Sequence, residues 1–350
     1  MKRIAINGLG RIGRLVLRQY VMNPPKLVTL VAVNSPAPVE ELAYLIKYDS
    51  VHGRAPFEVR TGPDFLDVGP HRITVLHEKD PENLPWRALG VDVVLECSGL
   101  FRTRDEAAKH LIAGASKVII SADAKNEDLT VVLGVNEKLY DPERHHIISN
   151  ASCTTNCLAT TAKVLVDAFG VEYLMATTVH AYTSSQAVID KSSPHHRRRG
   201  RAAAVSLIPS STGSAKATQL VLPELRGKMD AIAVRVPVAD GSLTDIVAHV
   251  KKDVTAEMVN AAFKAAAEGP LRGILDYNED ELVSADIVGD EHSSIVDATS
   301  TRVIRDRVVK VFAWYDNEAG YSRRLLDLAD YIAQKEPAEA PLEPALMGEA

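Results

Sequence analysis

The segment KRIAINGLGRIGR, Lys2 to Arg14, decides how the first half of this chain folds. Its first six residues alternate into an apolar strand. Gly8, Gly10 and Gly13 then follow in the spacing G-x-G-x-x-G, and Arg11–Met22 carries Ile12, Leu15, Val16 and Gln19 at helical intervals. A second apolar strand, Leu27 to Val33, leads into VAVNSPAP. Strand, glycine turn, helix and strand in this order read as a dinucleotide cradle. The glycines allow a tight turn and a close approach of backbone to a pyrophosphate, and the helix N-terminus offers N–H groups to that anion.

The pattern continues outward. Apolar runs recur at 91–95, 117–120 and 129–133, and TRDEAAKHLIA, Thr103 to Ala113, reads as a crossover helix with acids in its first turn. The fold class expected is α/β: a doubly wound Rossmann-type dinucleotide-binding domain plus an α+β catalytic domain. Ser35, Gly99 and Ser121 fall at the carboxyl ends of strands, where the ligand crevice of such a sheet lies. The second strand ends Val33-Asn34-Ser35, without the acid that bonds the adenine ribose hydroxyls and repels a 2′-phosphate.

Bulk properties bound the rest. With 350 residues, 46% hydrophobic and 25% charged, the chain has room for two domains. A net charge of −6 gives no overall attraction to nucleic acid or anionic lipid. No apolar run approaches membrane-spanning length and no secretory leader is read, so a cytoplasmic protein is expected. Three cysteines make no disulfide framework, and Cys153 and Cys157, spaced C-x3-C, lack the partners of a structural zinc site; no metal is expected. His145 and His146 lie nearby, in a charged segment read as a solvated approach to a strand.

The second half carries the reactive side chains. Thr160 to Ala168 reads as a helix, with Cys153 just before its N-terminal end, where N–H groups and the helix dipole favour a thiolate. The strand YLMATTVHAYT delivers His180, a partner that could activate such a cysteine. SLIPSSTGSAKA, Ser206 to Ala217, has the composition of an anion cradle, and Arg235 sits in the otherwise apolar DAIAVRVPV. HHRRRGR, His195 to Arg201, is the only dense basic run.

Taken together, INGLGRIGR, KYDSVHGR, KVIISA, SNASCTTNCLA, TTVH, STGSAKA, LPELRGKM, GPLRGIL and WYDNEAGYS resemble the signatures of phosphorylating glyceraldehyde-3-phosphate dehydrogenases, in the family's order from about Lys2 to Gln334. The resemblance implies Cys153 as nucleophile and His180 as its base, with the base keeping the cysteine ionised near neutral pH. It implies cofactor contacts from Gly8, Gly10, Arg11, Ile12, Gly13, Ser35, Lys79, Ser121, Ser192 and Asn317. Thr183 and Arg235 would meet the substrate's phosphate; Ser152, Thr154, Arg198, Thr212 and Gly213 would meet the attacking phosphate. Cys157 is expected only to pack. A homotetramer is implied too, with residues 1–152 and the helix at 318–334 as the dinucleotide-binding domain and 153–317 as the catalytic domain. The tail from Lys335 reads as disordered.

Several positions depart from the family. Ser35 and Ser192 resemble members that accept NADP, so NADP or dual use is expected over strict NAD. Asp123 stands where a proline is usual, close to Ser121, and the VADGSLTD segment after Arg235 also differs. The rival readings are an erythrose-4-phosphate dehydrogenase, disfavoured by Ser211-Thr212-Gly213, and an RNA-binding or scaffold role for the basic run, which has no second supporting feature.

Overall fold

β1 (Lys2–Asn7), α1 (Arg11–Met22) and β2 (Val28–Asn34) form the expected unit in the computed structural model, which describes residues 1–336. β1 lies inside a nine-stranded sheet, pairing in parallel with β2 on one side and with Val93–Glu96 on the other. The chain winds outward from β1 through β2 to His71–Leu76, and only then returns to Val93–Glu96, Lys117–Ile120 and Ile147–Ser149 on the far side. Strand order therefore reverses beside β1, and the ligand crevice of a doubly wound sheet opens at that reversal. Two antiparallel strands, Val59–Thr61 and Phe65–Val68, close one edge.

Two sequence expectations change here. The crossover helix is two short turns, Arg104–Ala107 and Lys109–Ile112, meeting at Ala108. The amide of Leu111 reaches back only three residues, to the Ala108 carbonyl, which tightens the junction. The strand expected at 129–133 ends at Thr130, because the Asn136 side chain accepts from the Val132 amide and donates to the Thr130 carbonyl. A local side-chain bond has replaced the ladder.

Residues 171–315 build a second, mixed sheet of seven strands. Its long strands, Val171–Ala181, Met229–Val236 and Ser242–Val250, alternate buried and more exposed positions. The inner side chains pack under the helices Cys153–Phe169 and Ala256–Glu268 in a single apolar cluster. The first of these helices begins at Cys153, seven residues before its expected start. Two of its buried hydroxyls bond within it: those of Thr160 and Thr161 donate to carbonyls four residues back, at 2.8 Å each.

The C-terminal helix, Ala319–Lys335, returns to the first core, where Leu325, Leu326, Leu328 and Ile332 are fully buried. Gln19 on α1 donates to the Ala319 carbonyl at 2.9 Å. Lys335 and Glu336, read as the start of a disordered tail, are ordered here, and Tyr140 donates to Glu336 at 2.6 Å. The rest of that tail lies outside the described residues.

Asp316 starts the C-terminal helix by accepting from the amides of Glu318 and Ala319 at 2.8 and 2.7 Å. Beside it sits Asp240, almost fully buried, with its Oδ2 3.5 Å from His52 Nε2. Burial and the neighbouring carboxylates of Asp316 and Glu318 push the Asp240 carboxyl upward. A carboxyl raised in the fold keeps a proton that the unfolded chain releases, so its cost to stability is absent in acid and grows as pH rises above the ordinary carboxylate range. Asp240→Asn is therefore expected to raise Tm at pH 8 by ~2–5 °C and to leave it nearly unchanged at pH 4, as read by calorimetry. An equal shift at both pH values would locate the effect in packing.

Candidate active site

The nucleophile position is set by a short turn. Ala151 takes a left-handed φ of 54°, its carbonyl accepts from the Tyr321 hydroxyl at 2.8 Å, and Ser152 then caps the helix by accepting from the Thr155 amide at 3.2 Å. Cys153 is the first helical residue, and the amides of the opening turn face outward there. His180 comes from the adjacent strand, with its Nε2 3.5 Å from the Cys153 Sγ. The two elements are pinned together by Tyr315, whose hydroxyl bonds Thr154 at 2.9 Å and Thr178 at 2.8 Å while its ring meets His180 edge-on. The sequence reading gave Tyr315 no role, although it lies in the quoted segment WYDNEAGYS.

The His180 Nδ1 lies 2.7 Å from the Ala181 carbonyl, an acceptor that favours a proton on Nδ1 and a free Nε2 facing sulfur, while the Arg235 guanidinium donor at the same nitrogen favours the opposite tautomer. Arg235, directly opposite His180 on the parallel neighbouring strand, places Nη1 2.9 Å from the same Nδ1 and 3.3 Å from the Ala181 carbonyl. Its buried Nε has no partner among the described residues.

Burial pushes a lone Cys153 thiol up to about 11 and a lone His180 imidazole down to about 3; Arg235 lowers both. Those directions describe each charge without the other. Moving one proton from Sγ to Nε2 creates both charges at once, and at 3.5 Å they attract by ~5 kcal/mol for an effective dielectric of about 20. The helix N-terminus adds to the thiolate side. The attraction between the two charges offsets about half of the ~11 kcal/mol that the gap between about 11 and about 3 sets against the transfer, so each charge is easier to form beside the other, and the sulfur is lowered only while His180 is present. Cys157 differs: it is fully buried and pushed up to about 12, beside Ser294 and Ala313.

A cavity of about 870 Å³ opens over this pair. It is lined by Ser152, Cys153, His180 and Thr183 from the second sheet and by Arg11, Ile12, Ser121 and Asn317 from the crevice side. Asn317 Oδ1 accepts from Ser242 at 2.6 Å, which leaves its amide NH2 free. Arg11 is held between Asp49 and Glu318, at 2.9 and 2.5 Å. The glycine turn fits a dinucleotide. A Cβ on Gly8 would come within 2.5 Å of Ser98 backbone and one on Gly13 within 2.0 Å of the Gly8 carbonyl, whereas Gly10 faces open space at the uncapped start of α1. Ser35 is buried at the end of β2, its hydroxyl accepting from the Ala37 amide at 3.4 Å, and Lys79 is exposed nearby in sequence to the Glu78 turn.

Other expected residues stand elsewhere. Ser192 is exposed on a loop and does not line the cavity. The Thr154 hydroxyl bonds Tyr315 at 2.9 Å, and the Thr154 side chain and amide both lower the Cys153 thiol. Arg198 is exposed and lines a separate groove with Arg197, Arg199 and Pro209, outside the cavity over Cys153. Arg199, half-buried in the 3-10 turn Arg197–Gly200 and tied to Ser210 at 2.9 Å, is near enough for its charge to oppose a proton on His180. Arg201 pairs with Asp190 at 2.7 Å, so part of the basic run is neutralised within the chain. Thr212 and Gly213 begin the helix Ser214–Val221, with Gly213 against Asp123 of the cavity wall.

The glyceraldehyde 3-phosphate dehydrogenase NAD-binding-domain profile matches residues 2–104, and the C-terminal-domain profile of the same family matches 152–317. The chain belongs to the glyceraldehyde 3-phosphate dehydrogenase family. It is 56% identical to the glyceraldehyde-3-phosphate dehydrogenase of Geobacillus stearothermophilus over 334 residues, covering 95% of this chain and 98% of that protein. Glyceraldehyde-3-phosphate dehydrogenase 1 of Bacillus subtilis is 54% identical over 95% of this chain and 98% of its own length. The Streptomyces coelicolor enzyme is 50% identical over 95% and 99%. No helix among the described residues is long and apolar enough to cross a membrane.

If the two charges at the site depend on each other, removing the imidazole strands the sulfur. His180→Asn is expected to slow alkylation of Cys153 by iodoacetamide at pH 7 by ~10- to 100-fold. Its alkylation rate should keep climbing with pH toward the burial-set value of about 11. A variant that alkylates at the native rate at pH 7 would show that His180 does not lower the thiol.

Proposed function

We propose that this chain converts glyceraldehyde 3-phosphate, inorganic phosphate and NAD(P)+ to 1,3-bisphosphoglycerate and NAD(P)H, through a thioester on Cys153. The observation that carries the reading is the 3.5 Å approach of Cys153 Sγ to His180 Nε2 beneath a cavity that Arg11 and Ile12 of the glycine-turn helix also line. In this reading residues 1–152 with the helix at 318–334 hold the cofactor, and 153–317 hold the substrate.

The sulfur of Cys153 attacks the aldehyde carbon, forming the C–S bond, while the proton held on His180 Nε2 moves to the former carbonyl oxygen. The nicotinamide of the bound cofactor supplies the hydride acceptor. His180 takes back the hydroxyl proton as the carbon–oxygen double bond reforms, which leaves Cys153 acylated as a thioester. A phosphate oxygen then bonds to the acyl carbon, the C–S bond breaks, and the electron pair returns to Cys153 as thiolate. Thr183 and Arg235 hold the substrate's phosphate, a role supported by the unpartnered Nε of Arg235. Ser152, Thr154, Thr212 and Gly213, with Arg198 beside them, hold the attacking phosphate. Asn317 and Ser121 hold the nicotinamide end, and the Gly8–Gly13 turn faces the pyrophosphate.

Use of NADP or of both cofactors is favoured over NAD alone. The support is the buried serine at the end of β2, which puts no carboxylate where a 2′-phosphate would sit, with the exposed Lys79 nearby. Ser192 and the arginine run do not line this chain's cavity and add no support from within one chain. A cytoplasmic homotetramer is the assembly proposed. The tetramer is supported by the exposed apolar side chains on the second sheet and its loop, among them Tyr173, Met175, Ile232 and Leu207.

Initial rates with glyceraldehyde 3-phosphate and phosphate, with NAD against NADP, test both levels. Cys153→Ser should lose at least ~10³-fold in rate with either cofactor. An active serine variant would remove the thioester route. Ser35→Asp should lower kcat/KM for NADP relative to NAD by ~10- to 100-fold through like-charge repulsion. An unchanged ratio would mean that the 2′-phosphate does not lie beside residue 35.

A further inference from the structure

Asp123 is a carboxylate in the active-site wall that the reaction as described does not use. It follows Ser121 and Ala122 at the end of the strand Lys117–Ile120, and Ser149 fixes that turn by donating to the Ala122 carbonyl at 2.7 Å. Its Oδ2 lies 3.2 Å from the position a Cβ on Gly213 would occupy. The carboxylate therefore stands against the Thr212-Gly213 turn, at the amino end of the helix Ser214–Val221. It also lines the same cavity as Ser152 and Cys153. Asp123 is exposed to solvent at the cavity wall and makes no hydrogen bond or ion pair among the described residues; its charged neighbours are Glu127, which repels it, and Arg102, which attracts it. Its own charge is felt at Cys153 and at Tyr321.

We propose that Asp123 determines how strongly the site binds the anion that releases the acyl group. Standing between Cys153 and the start of the Ser214–Val221 helix, its negative charge opposes an incoming oxyanion. This rests on the reading of Ser152, Thr212 and Gly213 as the phosphate cradle. A helix N-terminus attracts anions indiscriminately. Here the protein's own carboxylate already faces that end, so phosphate enters against a like charge and shares the donors. The substrate's phosphate is placed with Arg235 and Thr183 and not on the Gly213 turn, so its binding depends less on this charge.

Asp123→Asn and Asp123→Glu in the full chain separate charge from shape. Removing one like charge at a cavity wall is expected to lower KM for inorganic phosphate by ~3- to 10-fold, with KM for the aldehyde within about 2-fold of native. Asp123→Glu, which keeps the charge, should keep the native phosphate KM. A readout that needs no turnover accompanies these: inorganic phosphate should protect Cys153 from iodoacetamide with a midpoint lowered by the same factor in Asp123→Asn. A phosphate KM and protection midpoint that stay put or rise in Asp123→Asn would overturn the proposal. So would parallel changes in the phosphate and aldehyde KM values, which would mark a reshaped wall. If the native chain does not oxidise the aldehyde at all, the dehydrogenase reading is what fails, and the protection midpoint alone decides the role of Asp123.

Discussion

The reactive contact between Cys153 and His180 is a contact between two kinds of secondary structure, and the second half of the chain is arranged to hold them in register. The sulfur sits at the start of a 17-residue helix and the imidazole near the end of an 11-residue strand. Neither element alone fixes the separation. Tyr315 does so from a third element, with one hydroxyl bonded to a threonine on each side. A buried hydroxyl that bridges two partners resists sliding of either one, because any shift leaves a polar group unpaired in a low-dielectric interior. The left-handed Ala151 and the Ser152 cap then determine that the helix starts at Cys153, where outward-facing amides favour charge on sulfur.

Charge around this contact is distributed so that no group acts alone. Burial by itself would keep the thiol protonated and the imidazole neutral, and Arg235 beside the ring opposes a proton there. The short distance between the two groups offsets part of that cost, because each charge is stabilised by the other. Arg235 in turn has one nitrogen directed at His180 and another, buried, without a partner. An orphaned guanidinium donor in a reactive site suits an anionic ligand, which would satisfy the donor and reduce the pull of the arginine on the ring. Asp123 on the opposite wall supplies the counterweight, so the cavity is graded in charge rather than uniformly positive.

The cofactor side is built on close backbone approach. Gly8 and Gly13 have no room for a Cβ, and Gly10 leaves space where the helix amides point. The C-terminal helix closes this half from behind. Its start is tied to Asp316, while Glu318 and Asp49 hold Arg11 at the mouth of the crevice. The same junction carries Asp240 among carboxylates, a local cost that the sequence in this region accepts.

From residues alone, the glycine spacing, the strand periods, Cys153 at the approach to a helix, His180 on a strand and Arg235 in an apolar strand were legible, since these depend on patterns of two to four residues that hold in any context. The parallel sheet and the helix α1 appear where those patterns put them. Boundaries that rest on local side-chain bonds were not: the strand cut short by Asn136, the crossover helix split at Ala108, and the cysteine helix extended by hydroxyls that back-bond to its own carbonyls. The sequence by itself determined which chemical groups the chain carries and the order in which two sheets are built. Only the tertiary structure decided which groups meet. It recruited Tyr315, tied the Thr154 hydroxyl to it and turned Asp123 toward Gly213, because those outcomes depend on contacts between residues far apart in the chain, which no local period encodes.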